Sequence, residues 1–217
     1  MSTKAAVEQG ADVPRSTKVR ILEAAEQVFA ERGFEGASTR EIAARADVNI
    51  SSLHYHWASK ETLYVAVFRN VFARIMDHLE SSITPLLERA APRAESPEMV
   101  DRVMRELFDF FAARPTIPRL LLRRIVESED RDHGLERDVL GPAWEHFTAW
   151  TRQAKLDDAS ARLFMLTMHS VVMVYALDSA PYCTVLGGSV QDPRLADALR
   201  THVAELACAL LERMAAR

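Results

Sequence analysis

The sequence predicts an all-α chain, and three observations carry that prediction. Glycine is scarce, at 7 of 217 residues. Apolar residues recur at three- and four-residue spacing, the period of a helix face rather than a strand. Ser38, Asn49 and Ser59 each stand just before such a run, where a helix N-cap belongs. With 48% apolar and 27% charged residues, the balance is that of a soluble globular protein with a substantial core.

Taken in order, residues 1–14 read as a polar, flexible tail without the apolar centre of a signal peptide. The string TKVRILEAAEQVFAERGF then gives a first helix. Its inner stripe is Ile21, Leu22, Ala25, Val28 and Phe29, and Gly33 ends it. Ser38-Thr39-Arg40-Glu41 is a capping box, with Ser38 accepting from the Glu41 amide and the Glu41 side chain reaching back. Ile42, Ala43 and Ala46 face inward, and this second helix lasts about two turns before Asp47-Val48-Asn49. Asn49 caps a third helix with Leu53 and Trp57 as its buried positions. Ser59 caps a long fourth helix through Leu63, Val67, Val71, Ile75 and Leu79.

Beyond Pro85, residues 88–98 read as a connection, with Pro97 opening a helix. Amphipathic segments follow near 97–113, 117–128, 135–155 and 159–178. The stretch SAPYCTVLGGSVQDP reads as a link to a last helix from about residue 194, about nine helices in all. No internal repeat interrupts the order.

Composition narrows the function. A net charge of −4 gives no global basic field, so a nucleic-acid partner would have to be met by locally gathered positive groups. Cys183 and Cys208 form no CxxC pair, which excludes a disulfide framework and fits a cytoplasmic protein. The longest apolar run, LFMLTMHSVVMVYAL, is interrupted by His169 and ends at Asp178, short of the ~20 residues that span a bilayer. No HExxH, GxSxG, P-loop or glycine-rich cofactor motif is present. The expectation is therefore no enzyme, no cofactor and no membrane partner. The enzymatic alternative is a helical active site using His169 with an acid such as Asp178 or Glu127.

His54 and His56 raise the question of a metal. Two residues apart on a helix, their rings diverge by about 200°, whereas helical ligand pairs want i, i+4 spacing. No metal is expected. The segment reads better as the second half of a helix-turn-helix, Thr39 to Ala58. Small Ala43 lets the helices cross closely, and Ile42, Val48 and Leu53 fill the wedge. The outer face carries Ile50, Ser51, Ser52, Tyr55 and His56 instead of a Lys/Glu mixture. Such groups can enter a major groove, bond base edges or phosphates, and touch a thymine methyl.

Residues 18–64, through ILEAAEQVFAERGFEGASTREIAARADV and NISSLHYHWASKETLYVAVF, resemble the DNA-binding domain of TetR-family transcriptional regulators. The family usually has glycine where Asp47 stands, phenylalanine where Trp57 stands, and often lysine where Ile50 stands. The resemblance implies a helix-turn-helix domain over 15–64 and a helical effector-binding and dimerisation domain over 65–217. It implies a homodimer on a near-palindromic double-stranded operator, released from it by a small-molecule effector, with repression as the default. Carried over by position, Thr39, Arg40, Ser51, Ser52, His54, Tyr55, His56 and Lys60 are expected at the DNA. Ile50, Ser51 and Ser52 lead toward bases and Tyr55 and His56 toward phosphates. Thr39 offers α-helix amides to a phosphate, and Lys60 offers charge. His54 stays open between a DNA contact and an inward structural residue. Arg15, Lys18 and Arg20 stay open between a flanking contact and a solvated tail.

For the C-terminal part, the almost wholly apolar segment Leu163–Leu177 requires contacts on opposite sides. The last helix adds Leu195, Leu199, Val203, Leu206, Leu210 and Met214, so these two helices are the expected dimer interface. An effector pocket is expected among Phe108, Phe111, Trp144, Phe147, Met165, Met168, His169 and Met173, and a largely apolar or aromatic effector with it. Arg123, Arg124 and Glu127 read as a solvated helix face. A dimeric scaffold that reads no DNA is the remaining alternative.

Overall fold

The computed structural model describes residues 16–86, 96–127 and 157–215, with Leu135, Arg137 and Gly141 between the last two stretches. Nine α-helices have their ends among these residues: α1 (Thr17–Gly36), α2 (Thr39–Arg45), α3 (Ile50–His56), α4 (Lys60–His78), α5 (Pro97–Ala112), α6 (Thr116–Glu127), α7 (Asp158–Ala176), α8 (Ala180–Leu186) and α9 (Pro193–Ala215). Most of the expected segment 135–155, with the pocket candidates Trp144 and Phe147, lies outside the described residues, as do Arg15 and the tail.

The starts of these helices are set locally. Ser16, Ser38, Asn49, Ser59, Ser96 and Asp157 each accept a hydrogen bond from an amide in the first turn that follows. Ser59 and Thr62 form a reciprocal capping box, the Thr62 hydroxyl accepting from the Ser59 amide at 3.1 Å. At α2 only half the expected box forms. Ser38 accepts from the Glu41 amide at 3.1 Å, but the Glu41 carboxylate is drawn to Arg32 at 2.7 Å. A charged partner outcompetes a neutral amide for the same oxygen.

Gly33 does not simply end α1. Its backbone is non-helical, at φ 72 and ψ −179, and the chain then takes one more turn to Gly36. Helix α4 buries Leu63, Val67, Val71 and Ile75 and runs on into a π-helical turn, Leu79–Ile83, which keeps Leu79 and Ile83 inward. Each such side chain contributes about 1.5–3 kcal/mol by leaving water. Phe29, Phe34, Tyr64 and Phe68 form an aromatic cluster between α1 and α4, Phe29 and Tyr64 meeting edge to face at 4.9 Å. Burial there pushes the Tyr64 phenol up to about 12.

One core runs the length of the described chain. Helix α6 packs against α1, and α9 packs against α5 and α7. The link after α7 is not featureless. Its first half forms α8, which buries none of its residues and ends at Gly187 in the left-handed conformation, φ 75. Asp178 fastens this segment by accepting from the Ser189 hydroxyl, the Val190 amide and the Cys183 thiol. Among the described residues, α7 is the helix long and apolar enough, at 19 residues, to cross a membrane. Leu163 and Leu166 on its outer side are 59% and 54% exposed, while Phe164, Met168 and Val172 on its inner side are buried.

Candidate nucleic-acid interface

The interface candidate is built from α2, the turn at residues 46–49, and α3. Ile42, Ala43 and Ala46 bury the inner side of α2, and Leu53 at 0% exposure anchors α3. The turn is tied by the Val48 amide donating to Ala43 O at 3.0 Å and the Asp47 amide to Ala44 O at 3.2 Å. Asp47 carries a positive φ of 52, a left-handed geometry that suits glycine and that Asp can also adopt.

Arg20 completes this turn. Its guanidinium donates to Ala46 O from Nε at 3.0 Å and from Nη2 at 2.7 Å, and Nη2 also donates to Asp47 O. Of the two readings left open for Arg20, a flanking contact and a solvated tail, neither describes this arrangement. The side chain closes the C-terminal end of α2 and fixes the angle between α2 and α3. Its role depends on a contact 26 residues away in sequence, so local pattern alone carried no signal for it.

Asn49 Oδ1 accepts from the Ser52 amide at 2.6 Å and starts α3. The outer side of α3 then presents Ile50, Ser51, His54 and Tyr55, all exposed, with Ser52 and His56 half-buried at its flanks. Tyr55 is 86% exposed and its ring meets His56 edge to face at 5.2 Å. The exposure of His54 removes the inward structural reading. Arg40 is exposed and Thr39 half-buried in the first turn of α2. Trp57 is not a fully buried stripe position. It is the half-buried C-cap of α3, with Lys18 Nζ 5.3 Å from its ring centroid.

Lys60 departs from the expected phosphate contact. Its ammonium donates to Phe34 O at 2.8 Å and Ala37 O at 3.2 Å, and lies 4.3 Å from the Phe34 ring centroid. Two carbonyls left without helical partners at the C-terminal end of α1 attract it more closely than open solvent does.

The C-terminal candidates among the described residues lie on α5 and α7, which pack together. Phe108, Phe111, Met168 and Met173 belong to the common core, and Met165 is buried beside it. His169 is half-buried on α7, and burial holds its imidazole below the usual histidine range. The acids considered as its partners are engaged elsewhere. Glu127 accepts from the Phe34 amide at 3.3 Å, and Asp178 serves the α8 segment. The solvated-face reading of Arg123, Arg124 and Glu127 also needs correcting. Arg124 is 5% exposed, and Arg123 donates to Glu31 O at 3.0 Å, so α6 uses these side chains against α1.

Two short capped helices crossing at small alanines, braced by α1 and followed by a helical bundle, define the helix-turn-helix regulator class. Residues 21–67 match the family described as bacterial regulatory proteins, tetR family. Over those residues the chain carries the sequence pattern of that family.

Among curated relatives, the transcriptional repressor AcnR of Corynebacterium glutamicum is 31% identical over 90 residues, 42% of this chain and 47% of AcnR. The transcriptional dual regulator CecR of Shigella flexneri is 27% identical over 165 residues, 71% of this chain and 72% of CecR. The chain thus spans about half of AcnR and, at 56%, of YttP of Bacillus subtilis. A transcriptional regulator from Streptomyces coelicolor shares the fold at a TM-score of 0.63 and 22% identity, over 88% of this chain and 96% of that one. One from a Rhodococcus species does so at 0.63 and 18%, over 91% and 97%.

Proposed function

We propose that this chain is a cytoplasmic transcriptional repressor that binds a near-palindromic operator as a homodimer and is released by a small, largely apolar or aromatic effector. The observation that carries the reading is α3 itself. It is a capped helix with Leu53 as its single fully buried residue and an uncovered face of hydroxyl, imidazole, phenol and aliphatic groups. In a groove, Ile50, Ser51 and Ser52 meet base edges, while His54, Tyr55 and His56 meet phosphates together with Thr39 and Arg40 at the start of α2. Lys60 is assigned to holding α1 instead.

Dimerisation draws support from the exposed Leu163 and Leu166 on α7, beside α9. A twofold axis there sets two copies of α3 about 34–36 Å apart, one turn of DNA. The domain division at 64/65 belongs to the same proposal, as does an effector site between α5 and α7 at Phe108, Phe111, Met165, Met168, His169 and Met173. There the effector favours a state with altered α3 spacing.

The test is fluorescence anisotropy with DNA from upstream of the chain's own gene, titrated with salt. Specific binding that weakens steeply with salt is expected. Binding no tighter than to scrambled DNA at low salt overturns the proposal and favours the scaffold alternative.

A further inference from the structure

The backbone of Phe34 is held at both its N–H and its carbonyl. Its N–H donates to Glu127 Oε2 at 3.3 Å, and Glu127 is the last residue of α6. Its carbonyl accepts from Lys60 Nζ at 2.8 Å, and Lys60 is the first residue of α4, three beyond the Trp57 cap that ends α3. Arg123, one turn before Glu127, donates to Glu127 Oε1 at 3.3 Å and to Glu31 O at 3.0 Å. The break at Gly33 makes the arrangement possible. A positive φ of 72 turns the following amide out toward α6, and a Cβ at residue 33 would run into the Glu127 carboxylate.

We propose that Glu127 is a positioning residue for DNA reading, acting on α3 through the Phe34 backbone and Lys60 without touching DNA. This rests on the DNA-binding function proposed above. The geometry favours a relay over two unrelated contacts. The Phe34 N–H and C=O belong to successive peptide groups joined at one Cα, so the carboxylate that holds the first also fixes where the carbonyl meets the ammonium. The ammonium is further held by the Phe34 ring face at 4.3 Å. Loss of the carboxylate loosens Phe34, then Lys60, then the short Trp57–Ser59 connection that sets the C-terminal end of α3.

The experiment compares the full-length wild type with E127A, E127Q, K60A and the E127A/K60A double variant. Hydrogen exchange without DNA is read for a peptide covering residues 50–57, against one covering residues 199–207 of α9. E127A is expected to speed exchange in α3 about tenfold and leave α9 unchanged. E127Q keeps an oxygen acceptor for the Phe34 amide and recovers most of the protection. On the chain's own upstream DNA, E127A binds about tenfold more weakly with an unaltered salt slope, since no phosphate contact is lost. The double variant is no weaker than the poorer single one.

Unchanged α3 exchange in E127A, or an equal rise in α9, overturns the relay. So does a K60A salt slope smaller by about one, which would return Lys60 to a phosphate. Failure of the wild type to bind DNA would sink the proposed function alone, because α3 exchange still decides the relay.

Discussion

Arg20 of α1 and Ala46, the residue that caps the end of α2, are joined by two hydrogen bonds onto one carbonyl, at 3.0 and 2.7 Å. The same guanidinium reaches the carbonyl of Asp47, the residue with φ 52. Charge-assisted bonds to otherwise unpaired carbonyls are worth roughly 1.5–3 kcal/mol. Arg20→Ala is therefore expected to lower stability by about 1–2 kcal/mol in urea unfolding and to weaken DNA binding more than tenfold. Asp47→Gly relaxes the turn and should recover part of both losses in the double variant. A double variant as poor as Arg20→Ala would show that the turn is not what Arg20 supports.

Tyr55 tests the interface separately from the fold. At 86% exposure its truncation removes almost no packing, so Tyr55→Ala should leave the melting temperature within about 1 °C. Operator affinity should fall about tenfold or more. Equal affinity of the two proteins in anisotropy would remove Tyr55 from the interface.

The histidines set a pH window. His78 is stacked on Phe110 at 4.4 Å; burial holds its imidazole below the ordinary 6.5, opposed by Glu106 at 3.6 Å. Burial lowers His169 in the same direction. Between the lowered folded values and 6.5, the unfolded chain binds more protons than the folded one. The stability these neutral rings contribute is full above pH 6.5 and is lost as pH falls toward the folded values. Urea midpoints measured from about pH 7.5 to pH 5 should decline, and H78F with H169L should flatten the decline.

Leu163 and Leu166 test the proposed assembly. Leu163→Asp with Leu166→Asp places two carboxylates on an outward side that is 59% and 54% exposed in the single chain. Folding should survive by circular dichroism, and light scattering should show monomers where the wild type shows dimers. A double variant that stays dimeric moves the interface off α7.

Much of the fold could be read directly from the sequence because its determinants are local. Ser38, Asn49 and Ser59 cap the helices expected of them, and a cap involves residues two or three apart. The inner stripe of α4 follows from periodicity alone. What sequence reading missed depends on partners far along the chain. The Glu41 carboxylate goes to Arg32, Lys60 goes to Phe34 O, and Glu127 reaches residue 34 across a separation of 93. Helix α8 escaped notice because Pro181 and the Gly187-Gly188 pair resemble a connector, and no apolar stripe marks it.

Helix α3 depends on Leu53 inside and Asn49 at its head, which leaves most of its seven residues without a duty to the fold. Its outer lettering can therefore change one codon at a time while the supporting bundle stays intact. On the proposed function, exchanges at Ile50, Ser51 and Ser52 are the route to versions that recognise altered targets.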